Sequence, residues 1–204
     1  MIALGCFDWR HAAWQGGFYP DDLPAEWRLT FYANEFDALG LEAAAWLEPS
    51  LDELGGWVAD TREGFRIYPE LPARAVPDLE ARLKALGPRL GATLAGEGCS
   101  PELIELAGRF APVWAQAAIT APSVNPGMDC AEGLPPVAHD LVEALEPGRA
   151  PLVVLDSPGV DLRAARRVME ALGPRDATLL LRDAGTALES LQGLRTLRDL
   201  LGWQ

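Results

Sequence analysis

Short apolar runs alternate along this chain with longer stretches in which apolar residues recur every three or four positions. The two periods predict strands and helices in turn. "IALGC" (Ile2–Cys6) reads as a strand, and "PAEWRLTFYANEF" (Pro24–Phe36) as a helix with Trp27, Phe31, Ala33 and Phe36 near one face. "ALGLE" (Ala38–Glu42) is a second strand, although a glycine in a strand interior weakens it. In "SLDELGGWVADT", Ser50 followed by Glu53 has the spacing of a capping box. "FRIYP" (Phe65–Pro69) is strand-like, and "VPDLEARLKALG" is a helix stopped by Gly87. The second half repeats the rhythm. "GATLA" is a strand, "SPELIELAGRF" a helix capped by Ser100 with Pro101 in its first turn, and "VWAQAAIT" an apolar run of either kind. "PPVAHDLVEALEPG" is helical, "PLVVLD" (Pro151–Asp156) a buried strand, and "DLRAARRVMEALGP" a helix. "ATLLL" and "TALESLQGLRTLRDLLG" close the chain as strand and helix.

The pattern amounts to seven strand–helix units with no Ser- or Gly-rich linker, so one domain over residues 1–204 is expected. Strands alternating with helices argue for an α/β fold with parallel strands. Near-continuous apolar runs such as "LVVL" fit strands covered on both faces. An eight-unit barrel of the TIM type usually takes about 250 residues. The expected fold is therefore a TIM-type parallel (β/α) barrel reduced to about seven units. A doubly wound open sheet is the alternative, against which stands the absence of a glycine-rich phosphate loop after the first strand.

Composition narrows the function classes. With 17 Lys and Arg against 30 Asp and Glu the formal charge is −13, which repels phosphate backbones and disfavours general nucleic-acid binding. Arg163, Arg166 and Arg167 cluster, but on a predicted surface helix. Cys6, Cys99 and Cys130 form no CxxC pair and are odd in number, against a disulfide framework or a structural zinc. No basic region followed by an apolar run opens the chain, and no apolar stretch is long enough to span a bilayer. A cytoplasmic protein without membrane partners is expected.

The segment "GCFDWRHAAWQGGFYP" (Gly5–Pro20) is too aromatic for a plain connector and too charged for a core strand. It resembles the opening of bacterial proteins catalogued as domain of unknown function 72, the YecE-like family, which runs I-x-I-G-T-S-G-W-x-Y-x-x-W-x-G-x-F-Y-P. Gly5, Trp9, Trp14, Gly16, Phe18, Tyr19 and Pro20 fall on that pattern, and Tyr32, Ala33, Phe36 and Asp37 on the piece that follows. The resemblance implies an eight-unit TIM-type barrel whose activity is not established. It also exposes departures. The family's Glu and Asn of its E-I-N piece fall on Gly40 and Glu42, its Lys after the third strand on Glu70, and a Glu–Arg–His set on Ala118, Thr120 and Ala121. Trp46 stands for a Tyr, and Asp156 keeps the acidic end of a later strand. "TLLLRDAG" matches either the seventh-strand piece, retaining Arg182 and Gly185, or the eighth, so one unit is missing.

In such barrels chemistry sits at the carboxyl ends of the strands. Those ends carry Asp8, Glu42, Glu70, Asp156 and Asp183, with His11 in the first loop. Three readings follow. A barrel stripped of its polar strand-end residues is a non-catalytic binding or scaffold protein, since fold and activity separate readily. A rebuilt acidic site, with Glu42, Glu70 and Asp156 as catalytic carboxylates, suits a small-molecule hydrolase such as a glycosidase. Asp8, Trp9, His11, Trp14, Tyr19, Trp46 and Arg182 would then line the ligand site, the aromatics stacking on sugar rings. Set against this, single acidic residues at loop starts commonly cap helices, and Trp and Phe commonly anchor loops. The third reading makes Asp8, His11, Glu42, Glu70 and Asp156 a Mg²⁺ or Mn²⁺ site, although their spacing carries no metal signature and no cofactor is otherwise expected. His139 lies within a helix, Ser157 lacks a nucleophile motif, and Cys6 lacks a basic neighbour, so none of them is a candidate. A missing unit would leave a strand edge exposed, which favours a homodimer.

Overall fold

The computed structural model describes residues 1–96, 98–115, 152–155, 166, 169–170, 172, 176–182 and 187–203. The chain divides into two compact units, one of residues 1–6 with 118–204, the other of residues 7–117.

The described residues of the first unit centre on three parallel strands. β1 (Ile2–Phe7), whose last residue belongs to the second unit, pairs through Ile2–Cys6 with a strand at Ala177–Leu181, and that strand pairs in turn with one at Leu152–Leu155. Both partners are short apolar runs whose described side chains are buried. The helix Ala187–Leu201 runs back after the strand at Ala177–Leu181. Its Arg198 donates to the carbonyl of Ile2 at 3.1 Å, and the amino terminus pairs with Asp176.

The second unit begins with the turn-rich segment after β1. A single 3₁₀ turn, Ala25–Trp27, leads into α1 (Arg28–Glu35). The helix predicted from Pro24 thus starts four residues later. The tighter 3₁₀ winding rotates Trp27 off the face shared by Leu29, Tyr32 and Ala33, and its ring is 57% exposed. β2 (Ala38–Leu41) and β3 (Arg66–Pro69) pair in parallel, Leu41 opposite Pro69. Between them lie α2 (Ala43–Leu47), a short helix the sequence pattern did not predict, and α3 (Leu51–Ala59). At α3 the predicted capping box is present: Ser50 Oγ accepts from the Glu53 N–H at 3.2 Å, and Glu53 Oε2 accepts from the Ser50 N–H at 2.7 Å. α4 (Leu79–Leu86) stops at Gly87, whose φ of +46° suits a residue without Cβ. β4 (Thr93–Ala95), α5 (Pro101–Gly108) and β5 (Val113–Ala115) follow, and the last strand resolves "VWAQAAIT" as a strand at its start. β4 and β5 are parallel, as are all four described ladders.

One irregularity separates β3 from the strand beyond it. Ile67 bridges Leu90 and Glu70 bridges Leu94, so three steps along β3 face four along its neighbour. The extra residue is a bulge, and it reverses which side chains face which way from there on. Gly91 lies inside it, and a Cβ there would sit 2.7 Å from Cζ of Tyr68.

The two later helices predicted at "PPVAHDLVEALEPG" and "DLRAARRVMEALGP" lie wholly or mostly outside the described residues.

Candidate functional site

The second unit assembles its strand ends through the backbone. The N–H of Asp8 donates to the carbonyl of Gly40 at 3.0 Å, and the N–H of Glu70 donates to the carbonyl of Leu41 at 2.8 Å. Asp8, Glu42 and Glu70 therefore leave three successive strands side by side. Of the acidic positions read from the sequence, these three are brought together. Asp156 lies outside the described residues, as does Asp183. Arg182, half-buried, directly follows the strand at Ala177–Leu181 in the first unit.

The three carboxylates differ in state. Asp8 is the described non-glycine residue with a positive φ, +61°, a left-handed conformation that Asp and Asn tolerate best. Its Oδ1 accepts from the N–H groups of Trp9 at 2.7 Å and Arg10 at 3.0 Å and from Arg10 Nε at 2.9 Å, while Oδ2 accepts from Arg10 Nη2 at 3.1 Å. Burial works to raise its pKa, but the hydrogen bonds and charge of Arg10, with the Trp9 N–H, outweigh burial and hold the carboxyl below its ordinary value. This carboxylate is committed to shaping its own loop. Glu42 is exposed and occupies the N-cap position of α2 without making a side-chain cap. Glu70 is half-buried, and its carbonyl accepts the indole N–H of buried Trp46 at 2.8 Å.

The aromatic segment has protein partners throughout. Trp9 meets Trp57 edge-on, centroids 5.0 Å apart, and carries the Arg10 guanidinium 4.7 Å above its ring. Its carbonyl accepts the Tyr19 hydroxyl at 2.6 Å. Trp14, 2% exposed, is surrounded by His11, Phe18, Tyr19 and Tyr32, and Phe18 reaches Phe31 and Phe36. His11 Nε2 lies 2.9 Å from the carbonyl of Phe7. These rings fasten the first loop onto α1, and the face of Trp14 is spent on other rings rather than on solvent.

Of the five residues of the metal reading, Asp156 lies outside the described residues, and two others have protein partners. His11 Nε2 is occupied by a carbonyl and the Asp8 carboxylate by Arg10. Among the described residues, no three side chains of His, Cys, Asp or Glu are grouped so as to hold an ion.

Phe7 alters the site most. A Cβ built on Gly40 would lie 2.7 Å from Cδ2 and Cε2 of the Phe7 ring. The space that a side chain at position 40 would fill, where the resemblance places a glutamate, is filled by a phenyl group from the neighbouring strand.

Sequence reasoning passed over Arg10, Trp57 and Arg82. Arg82 is buried and ties three elements together, donating to Asp78 Oδ2 at 2.7 Å and to the carbonyls of Trp46 at 3.1 Å and Pro49 at 2.6 Å. Its place between Leu79 and Leu86 on the apolar face of α4 is the one signal that marked it.

A family model described as "Protein of unknown function DUF72" matches residues 3–125. The chain belongs to that family. Two solved DUF72 proteins are similar to it in fold. One, from Enterococcus faecalis V583 (EF0366), is 13% identical, with 100% of this chain and 96% of that one covered and a TM-score of 0.56. The other, from Thermotoga maritima MSB8 (TM1631), is 15% identical, with coverage of 97% and 99% and a TM-score of 0.57. Orotidine 5'-phosphate decarboxylase from Pyrococcus horikoshii OT3 is similar in fold as well, at 11% identity, 99% coverage of both chains and a TM-score of 0.51. No curated protein matches the sequence. The fold class is α/β of the parallel TIM-barrel type, with seven strands among the described residues of this DUF72 chain. The family's function is unknown. No described helix is long and apolar enough to cross a membrane.

Proposed function

We propose that this DUF72 chain is a non-catalytic binding protein, a barrel that keeps the family's frame and has given up chemistry at the strand ends. The observation that carries the reading is the Phe7 ring packed on Gly40. A carboxylate at position 40 needs room that the ring already occupies, so the substitution is accommodated by repacking and a reversal there requires a second change. Asp8 supports the same reading, because its carboxylate is bound by Arg10 and two backbone N–H groups rather than held ready for a proton. The rim residues Glu42 and Glu70 then contribute to small-molecule binding and not to turnover, while buried Trp46 positions Glu70. The protein works in the cytoplasm, without Mg²⁺ or Mn²⁺ and without nucleic acid, and as a homodimer. The net charge and the cysteine usage support the location and the choice of partners.

The test is a panel of nitrophenyl glycosides and phosphodiesters, assayed with and without Mn²⁺, on the natural chain and on the Glu42→Gln/Glu70→Gln double variant. Neither protein is expected to release nitrophenol above buffer. Hydrolysis by the natural chain that the double variant loses would overturn the proposal in favour of an acidic hydrolase.

A further inference from the structure

The first loop and the start of α1 hold two buried N–H donors with nothing to donate to. The indole Nε1 of Trp14 is buried and has no hydrogen-bond partner among the described residues, and the same is true of Arg28 Nε. An orphaned buried donor is uncommon, because leaving one unmet costs about 1–3 kcal/mol. Two in one corner of a fold point to an acceptor that binds there.

The corner is narrow. Arg28 donates through Nη2 to Oε1 of Gln15, the residue next to Trp14, and lies 5.4 Å from the centre of the Tyr19 ring. Trp14 lies 5.9 Å from the same ring and stacks at 13° on Tyr32, one helical turn beyond Arg28 on α1. Gln15 is fixed from the other side, giving both its amide hydrogens to the carbonyls of Pro20 at 2.8 Å and Asp21 at 2.9 Å. The side chains of this turn thus hold Arg28 over the Tyr19 ring and Trp14 beside it.

The charge is as informative as the hydrogen bonds. Arg28 is half-buried and makes no ion pair among the described residues, in a chain with 30 acidic residues. Asp21, the carboxylate carried by the same turn, is exposed and makes no ion pair with it. A half-buried guanidinium with no counter-charge among the described residues, its Nε buried near a second orphaned donor, has the chemistry of an anion seat.

We propose that Arg28 and the Trp14 indole form a seat for a compact monovalent anion, a halide or a short carboxylate, beside Tyr19. The anion accepts from Trp14 Nε1 and Arg28 Nε and neutralises the guanidinium. The seat belongs to the first loop and is independent of the rim reading above.

The experiment is a titration of the intact chain with sodium chloride and with sodium acetate, at an ionic strength held constant with sodium gluconate, followed by the indole N–H resonances in nitrogen–proton NMR spectra. Trp14 is assigned by its cross-peaks to the Tyr19 and Tyr32 rings. Its resonance is expected to move and saturate with one or both anions, and Arg28→Gln, which removes the guanidinium and its charge, is expected to weaken that response at least tenfold. An Arg109→Gln control, at the exposed C-cap of α5, should respond like the natural chain. A Trp14 resonance that neither anion moves would overturn the proposal. So would one that responds equally in Arg28→Gln, or one that shows only a cross-peak to water.

Discussion

Trp46 donates its indole N–H to the main-chain carbonyl of Glu70 at 2.8 Å. A side chain of α2 thereby holds the end of β3, and Arg82 of α4 holds the same tryptophan through its carbonyl at 3.1 Å. The position of Glu70 at the rim is therefore set by residues well outside its own strand.

Trp46→Phe removes the donor and keeps most of the ring. The half-buried Glu70 carbonyl then loses that partner, and the variant should lose about 0.5–1.5 kcal/mol of stability, read as a lower urea midpoint. An unchanged midpoint would mean that β3 ends where it does without help from α2.

Gly40→Ala puts a methyl group against Phe7, at the 2.7 Å contact described above. Overpacking of this kind costs about 1–3 kcal/mol. The double variant Gly40→Ala/Phe7→Leu should recover part of the loss, and a double-mutant cycle on urea midpoints measures the coupling. Additive effects would separate the two positions.

The sign of the pH effect at Asp8 is fixed by its pairing. Its folded-state pKa is depressed below the ordinary 3.8, so its stabilising contribution is complete above that value and is lost as the pH falls from there through the folded-state pKa. Asn tolerates the left-handed backbone but cannot titrate. Asp8→Asn should therefore be less stable than the natural chain near neutrality, and the gap should close on acidification below about pH 4. Thermal melts across that range check it, and a gap that stays constant would remove Asp8 from the acid response.

Ser50→Ala removes the hydroxyl half of the capping box on α3. The cost of losing such a cap is about 0.5–2 kcal/mol. Thermal denaturation of the variant should show that loss, and Ser50→Asp should restore most of it.

Local chemistry was legible in the sequence wherever neighbours in the chain decide the outcome. Ser50 with Glu53, Ser100 before Pro101, and Gly87 after α4 all act within one turn, and all are where the pattern placed them. The apolar runs gave the strands for the same reason, and the aromatic segment gave the family. Trp27 escaped because one 3₁₀ turn shifts the register of everything before it, and the apolar period does not report that shift. At Gly40 the sequence pointed to a lost side chain but was silent on the ring that took its place, since Phe7 reaches it across strands. Arg82 is not legible as a tie because the carbonyls of Trp46 and Pro49 that it binds are brought to it only by the fold. Gathering Asp8, Glu42 and Glu70 at one rim needed only the parallel order of strands; that Asp8 is already spoken for by Arg10 needed coordinates.

The bulge opposite Tyr68 bears on how this chain can be recombined with its kin. A chimera that splices a regular fourth strand from another barrel onto β3 would be one residue short, and its inward and outward side chains would trade places from Leu94 onward. Segment exchange in this lineage has to carry Gly91 and the residues flanking it as a single cassette, or graft at a joint upstream of Leu90.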